Sequence, residues 1–326
     1  MKCLVTGASG FAGSWILREL AKIYGKEAIT GTGRNQERIK KLSEEGYRMI
    51  PGDLRDSRFV AKNLSGFTHV VHCAAKSSQW GDYRDFFEHN VVATRNILDH
   101  IPAVKSLVYI STPSIYFNFQ DRLDVKEDAA LPQKFVNHYT ATKFLAEQEI
   151  LDFQRKGLMR IILRPRAIIG AGDTVILPRV IRAYESGRLK IIGDGKTIAD
   201  FTSVKNLAHA VSLSLKADPS LNGEVFNITD GEPVEFWPLL LETLQLLGYE
   251  GKLKKVPYRL VSAFAGWSEF LCRLQGKDEP ALTRYGTGIL KYSLTMNIDK
   301  ARDKLKYNPI VTTHQSRDEF ITWFRE

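Results

Sequence analysis

The segment Gly7-Ala8-Ser9-Gly10-Phe11-Ala12-Gly13 constrains this chain more tightly than any other. It follows a short apolar run at residues 2–6 and opens a stretch, 11–24, whose apolar residues recur at helical spacing. A glycine turn between a strand and a helix lets the backbone bend sharply. It also points N–H groups at whatever sits on the helix N-terminus, where the helix dipole favours an anion. The glycine spacing by itself is common. Its place between a strand and a helix at the start of a βα unit is what predicts nucleotide binding.

The pattern continues. Short apolar runs at 28–33, 48–50, 69–72, 107–111 and 160–163 alternate with amphipathic stretches at 36–45, 58–64, 83–100 and 136–156. Successive βα units of this length predict an α/β fold, a Rossmann-like doubly wound parallel sheet whose ligands lie beyond the carboxyl ends of the strands. After Pro165 glycines punctuate the chain at 170, 172, 187, 193 and 195, then a helix at 204–216 and a strand at 224–228 resume. Further helices are expected at 238–247, 258–274, 299–306 and 315–324. Residues 1–165 plus about 203–229 are therefore expected to form the dinucleotide-binding domain, and about 166–202 plus 230–326 a smaller, mostly helical, discontinuous substrate lobe.

A carboxylate at the end of the second strand would hold a ribose 2′-hydroxyl, but the residues there are Thr32-Gly33-Arg34-Asn35. Arg34 offers a guanidinium fork to a 2′-phosphate, and Thr32 and Asn35 donate without repelling it. NADP(H) is preferred on this ground, with NAD(H) left open and a solvated Arg34 as the plain alternative.

Tyr139 and Lys143 sit four residues apart at a helix start, which places both side chains on one face. A phenol titrates near 10, and a cation about 4 Å away at an effective dielectric near 20 contributes roughly 4 kcal/mol, up to about three pH units. Desolvation opposes it. The pair can thus act as a tuned proton donor or acceptor, whereas on a bare surface it would be two snorkelling side chains. Upstream, Ser111-Thr112-Pro113-Ser114 ends a strand and delivers hydroxyls to the same edge of the sheet.

Composition excludes several classes. There are 46 basic and 37 acidic residues, a formal +9, but the basic ones are spread along the chain and no nucleic-acid partner is expected. The chain is 44% hydrophobic and 25% charged, ordinary for a globular enzyme rather than a disordered segment. Cys3, Cys73 and Cys272 lie far apart, no leader precedes the first strand, and a reducing cytoplasm is expected. No histidine pairs with another or with a cysteine at metal spacing, so no metal is expected. The stretch 258–274 is too short and polar to span a bilayer. Its apolar face has three roles open to it: covering the site, touching a membrane surface, or closing the second lobe. Closing the lobe is the preferred reading.

The glycine loop, Gly52-Asp53-Leu54, His72-Cys73-Ala74-Ala75, Asn90, Ser111-Thr112, Tyr139 to Lys143 and Leu163-Arg164-Pro165 together resemble the extended short-chain dehydrogenase/reductases of the NAD-dependent epimerase/dehydratase superfamily, over nearly the whole chain. That resemblance implies a cofactor contacted by Gly7, Ser9, Gly10, Phe11, Ala12, Gly13, Arg34, Asp53, Leu54, Ala74, Ala75, Lys76, Asn90, Tyr139, Lys143 and Pro165. It implies that Asp53 bonds the adenine amine and that Lys143 holds the nicotinamide ribose. Tyr139, Lys143 and Thr112 would be catalytic. Closer likeness is to the 3β-hydroxysteroid dehydrogenase family, particularly its bacterial 2-alkyl-3-oxoalkanoate reductase branch, carried by Trp80-Gly81-Asp82-Tyr83, His138-Tyr139, Gly170-Ala171-Gly172-Asp173, Asp200-Phe201-Thr202 and Asp230-Gly231-Glu232-Pro233. Two departures matter. Sugar-nucleotide dehydratases carry an acidic pair where Pro113 and Ser114 stand, which disfavours dehydration. Arg166 replaces an aliphatic residue or glycine, and would either place a positive charge in the substrate pocket or pack outward.

The expected activity is reversible hydride transfer between NADP(H) and a ketone or secondary alcohol on a largely apolar small molecule. Trp80, Ser114, His138 and Arg166 are candidate substrate contacts, and Trp80, Phe117, Phe119, Trp237 and Phe264 could line an apolar pocket. Two rivals remain: a sugar-nucleotide 4-epimerase holding NAD tightly, and a dinucleotide-sensing protein without turnover. A homodimer through 83–100 and 136–156 is expected from the resemblance.

Overall fold

In the computed structural model, residues 1–276, 279–280 and 282–326 are described. The sequence alternation becomes seven parallel strands: β1 (Cys3–Thr6), β2 (Ile29–Gly33), β3 (Arg48–Pro51), β4 (His69–His72), β5 (Ser106–Ile110), β6 (Met159–Pro165) and β7 (Glu224–Ile228). Their spatial order is β7-β6-β5-β4-β1-β2-β3. The order reverses between β1 and β4, and the crevice for a ligand opens at that switch point.

Thirteen helices accompany the strands among the described residues: α1 (Phe11–Tyr24), α2 (Gln36–Glu44), α3 (Ser57–Leu64), α4 (Tyr83–Phe87), α5 (Ala93–His100), α6 (His138–Asp152), α7 (Leu177–Glu185), α8 (Val204–Ser214), α9 (Phe236–Leu246), α10 (Tyr258–Gln275), α11 (Arg284–Ile289), α12 (Asp299–Leu305) and α13 (Thr313–Arg325). The inner strands are buried on both faces, while the edge strand β3 is partly exposed, and successive residues face opposite layers. Val5, Val71, Val108 and Leu163 pack with Ile16, Leu17 and Leu20 of α1 and Leu207 and Val211 of α8. Leu4, Val70, Leu107 and Ile162 pack with Val60 of α3, Ile97 of α5 and Ala146 and Ile150 of α6. Each such aliphatic side chain contributes about 1.5–3 kcal/mol of burial, and Leu17→Ala would cost about 2–5 kcal/mol. A one-residue slip of any strand would exchange the two layers, which is why register is tightly specified.

The segment expected as one helix over 83–100 is continuous but not uniform. Residues Glu88–Val92 between α4 and α5 form a π turn, which turns Asn90 into the interior, 1% exposed. The second lobe is less helical than its sequence suggests. A four-stranded sheet in the order Val234–Glu235, Ile198–Ala199, Leu294–Met296, Arg122–Val125 runs through it, and its last strand comes from the first half of the chain. Strands of two to four residues carry too little alternation to be read from sequence. The helix 258–274 is present as α10, with Ala265 and Cys272 buried. Its broad apolar stripe, expected to close the lobe, instead faces outward.

Candidate active site

At the phosphate loop, Gly10 caps α1 with no side-chain hydrogen bond, and no acid stands in the first turn. The first N–H groups of α1 are left for an anion. The loop closes tightly: a Cβ on Gly13 would lie 2.2 Å from the Gly7 carbonyl oxygen, and one on Gly7, whose φ is +68°, would lie 2.8 Å from the Ala74 backbone. Backbone this close is a cradle that side chains would fill. These features fit a pyrophosphate on the loop.

The end of β4 is held against this loop by one polar chain. Thr6 Oγ1 accepts from the N–H groups of Cys73 and Ala74, at 3.1 Å each. Its own hydroxyl proton is therefore free to go to His72 Nδ1, 2.7 Å away. His72 Nε2 then donates to Thr94 Oγ1 at 2.9 Å, which donates to the Asn90 carbonyl at 2.6 Å. Burial and the Lys143 charge push His72 down to about 3, so the neutral ring this chain requires is the stable form. Asn90 continues it, accepting from Lys76 N at 2.7 Å and donating to Thr142 Oγ1 at 2.9 Å. The resemblance made Asn90 a cofactor contact; its amide is committed to bracing the Ala74–Lys76 loop onto α6.

Several other expected contacts are also tied within the protein. Lys76 Nζ pairs with Asp85 and lies 5.1 Å from the Phe86 ring centroid, so its ammonium is drawn toward α4. Leu54 is buried in the core and Pro165 ends β6. Asp53 is gripped by Arg55 at 2.7 Å and lies 3.6 Å from Arg34 Nη1. Despite the opposing cost of its partial burial, those hydrogen bonds and charges hold its carboxyl down to about 2. Arg34 also meets His89 Nε2. Nearby, Arg38 Nη1 reaches the Ser9 carbonyl at 3.4 Å. Arg38 and Lys41 of α2 line a cavity of about 350 Å3 with Ser9, Gly10 and Trp15.

Asn137 caps α6 by accepting from Thr140 N at 2.9 Å, which sets Tyr139 in the first turn and Lys143 one turn on. Beyond β5, Thr112 caps the turn Pro113–Tyr116, and its hydroxyl donates to Ser114 Oγ at 3.1 Å. The Thr112 side chain also neighbours the Tyr139 phenol. Burial pushes the Tyr139 phenol well above its ordinary range and Thr112 pulls it back. Lys143, 1% exposed, is not aimed at that phenol in the way its spacing suggests. Its Nζ donates to the Ile110 carbonyl at 2.6 Å and lies 4.0 Å from the Tyr109 ring centroid. A desolvated ammonium takes the nearest strong acceptor, here the last carbonyl of β5. Burial lowers Lys143 to about 7.

The structure adds residues that sequence reasoning missed. Tyr285 of α11 hydrogen-bonds Ser114 Oγ at 2.9 Å from 171 positions away, so four hydroxyls, of Tyr139, Thr112, Ser114 and Tyr285, form one row. Nothing local in the sequence marks Tyr285. Beneath the row, Arg164 donates to Glu147 at 3.0 and 2.5 Å and to Tyr116, a buried ion pair that anchors α6 to β6.

The candidate substrate contacts divide. His138 Nδ1 donates to the Gly81 carbonyl, 3.1 Å away, and its ring packs edge-on with Tyr83 at 5.5 Å, which fixes the α4 entry. Trp80 lies under the Arg273 guanidinium at 5.1 Å, joining its loop to α10. Arg166, expected either to charge the pocket or to pack outward, is buried where its charge lowers Asp200, and its Nε has no hydrogen-bond partner among the described residues. Of the aromatic candidates, Phe117 is in the core beside Tyr285 at 5.7 Å and Phe119 packs on it at 5.2 Å. Trp237 is buried in the second-lobe core, and Phe264 faces solvent.

Residues 3–229 match the NAD dependent epimerase/dehydratase family. The chain is 31% identical to the 2-alkyl-3-oxoalkanoate reductase of Shewanella oneidensis, over 95% of this chain and 83% of that one. It is also 31% identical to the 3beta-hydroxysteroid-dehydrogenase/decarboxylase isoform 1 of Arabidopsis thaliana, over 99% of this chain and 79% of that one. The crystal structure of gox2253 is similar with a TM-score of 0.80 and 26% identity, over 99% of this chain and 98% of that one.

Proposed function

Because the chain belongs to the NAD dependent epimerase/dehydratase family, as an enzyme of the extended short-chain dehydrogenase/reductase kind that uses a nicotinamide dinucleotide, we propose that it is an NADPH-dependent ketoreductase acting on a largely apolar 3-oxo compound such as a β-keto acid or a 3-oxo steroid. The observation that carries this reading is the Tyr139 phenol in the first turn of α6, beside the Thr112 hydroxyl at the carboxyl edge of the sheet. Relatives that act on 3-oxo or 3-hydroxy groups, similar along nearly the whole chain, support the substrate class.

The uncapped start of α1 and the tight glycine loop fit the dinucleotide phosphates. When bound, the nicotinamide supplies or accepts the hydride. Preference for a 2′-phosphate rests on Arg34, Arg38 and Lys41 around the β2 end and Ser9, with no carboxylate at the position that would hold a ribose hydroxyl. Tyr139 gives its proton to the ketone oxygen as that oxygen gains charge, and the Thr112 hydroxyl turns from Ser114 to donate a hydrogen bond to the same oxygen. The phenol is protonated at neutral pH, the form that donates in the reducing direction, and burial strengthens its hold on that proton. Lys143 orients the ribose from the end of β5. Ser114 and Tyr285 fix the rotamer of Thr112, and Pro113 with Ser114 leaves no acid–base pair for eliminating water.

The test is NADPH oxidation by purified protein with 3-oxoacyl and 3-oxosteroid substrates, against interconversion of uridine diphosphate sugars without added reductant. The Tyr139→Phe enzyme should lose a factor of about 10²–10⁴ in kcat. Near-normal turnover of Tyr139→Phe, or sugar epimerisation with no NADPH use, would falsify the assignment.

A further inference from the structure

The helix α10 carries a feature that ketone reduction does not use. Leu260, Phe264, Trp267, Phe270 and Leu274 expose 69%, 50%, 59%, 57% and 68% of their surface. Their spacing of four, three, three and four residues lays them in one stripe along the 18-residue helix. Phe264 and Trp267 are in ring contact at 6.3 Å, so the stripe is contiguous rather than a scatter of single residues. The opposite face is the one that packs, through Ala265, Cys272 and the half-buried Val261.

Basic residues outnumber acidic ones around the stripe, where Glu250 and Glu279 are the exposed acids on either side of α10 among the described residues. Lys252, Lys254 and Lys255 in the approach to α10, with Arg259 and Arg273 on it, are all exposed. Glu269 is the acid within the helix, and its carboxylate is taken up by the Arg284 N–H at 2.7 Å. Two copies of this surface face to face would bring like charges together, which disfavours self-pairing. No helix among the described residues is long and apolar enough to cross a membrane. An exposed aromatic and leucine stripe edged by lysine and arginine matches a helix lying flat in the headgroup region of an anionic bilayer.

The stripe also borders the candidate site. Arg273 stacks on Trp80, and Gln79 next to it accepts from Thr283, the cap of α11, at 3.2 Å. On α11, Tyr285 reaches the hydroxyl row through Ser114. We propose that the exposed face of α10 seats this protein on an anionic membrane surface, with the candidate substrate cleft at the lipid boundary. Supply of an apolar 3-oxo substrate from the lipid rests on the ketoreductase reading. The seating itself does not.

The experiment is co-sedimentation of the full chain with phosphatidylcholine vesicles, with and without phosphatidylglycerol, at two salt concentrations. Binding is expected to the phosphatidylglycerol vesicles and to weaken with salt. Trp267→Asp with Phe270→Asp should abolish it. Each of Lys254→Glu and Arg259→Glu should weaken it at least about fivefold. These residues are exposed, so circular dichroism and reduction of a water-soluble short-chain 3-oxo ester should match wild type in every variant; should the double aspartate variant misfold, the two charge reversals carry the test. The proposal is overturned by absence of binding to phosphatidylglycerol vesicles, by equal binding to phosphatidylcholine alone, or by variants that bind as wild type. It is equally overturned if light scattering shows a dimer that Trp267→Asp dissociates, since the stripe would then be an interface between copies. A chain that binds vesicles but reduces no ketone would sink the ketoreductase reading and leave the seating intact.

Discussion

Replacing Lys143 by methionine should remove activity and yet stabilise the cofactor-free protein. In the native state Lys143 is buried, has no carboxylate at ion-pair distance among the described residues, and titrates at about 7 against an ordinary 10.5. Unfolding releases it to the ordinary value, so holding this amine inside costs roughly 4 kcal/mol at pH 7. Methionine fills similar volume without that cost. It forfeits the hydrogen bond to Ile110 and the contact with the Tyr109 ring, together about 1–3 kcal/mol. The net expectation is a gain of about 1–3 kcal/mol, or several degrees of melting temperature. The pH dependence identifies the cause. Between about 7 and 10.5 the unfolded chain holds a proton at Lys143 that the native state has lost, so wild-type stability rises with pH by up to about 1.4 kcal/mol per unit. Below that window both states are protonated and the cost is constant. The variant has nothing to titrate there, so its advantage should be largest at pH 7 or below and vanish toward pH 10.5. Urea unfolding of both proteins, stripped of dinucleotide, across this range is the assay. A Lys143→Met protein that is destabilised at pH 7, or whose difference from wild type does not change with pH, would refute the burial argument.

The remaining predictions concern the site and its support. Tyr285→Phe removes a partner of Ser114 and a group that raises the Tyr139 phenol, so the alkaline limb of kcat/KM should move to lower pH with the fold unchanged. An identical profile would exclude Tyr285 from the proton chemistry. Arg34→Ala with Arg38→Ala should raise KM for NADPH about 10–100-fold while leaving KM for NADH within a few-fold; equal effects on both would remove the 2′-phosphate assignment. Glu147→Gln leaves Arg164 buried without its anion, and thermal or urea unfolding should show a loss of about 3–5 kcal/mol, where a change under 1 kcal/mol would mean the pair relaxes freely.

The parts of this protein that were legible in its sequence are those whose determinants are local. The parallel strands could be read because each is a run of four to seven residues flanked by a helix of matching apolar period, and the glycine loop because its geometry is contained in seven consecutive positions. Tyr139 and Lys143 were readable as neighbours on a helix face. What that spacing did not contain was where a desolvated ammonium would turn, since Ile110 lies 33 positions away. The protein partners of Asn90 were hidden for a similar reason. Its partner Thr142, 52 positions on, exists only once the π turn faces α6.

Composition and local periodicity thus determined the layered sheet, the tight glycine loop and the position of Tyr139 at the sheet's edge, because turn geometry and helical offset act over a few residues. Tertiary packing alone decided that Tyr285 and Ser114 complete the hydroxyl row, that Arg166 shares its charge with Asp200, and that the apolar side of α10 faces solvent. Those outcomes depend on which surfaces meet in the folded chain. Burial and pairing between residues separated by 34 positions, as Arg166 and Asp200 are, or by 171, as Ser114 and Tyr285 are, have no signature within a short window of the chain.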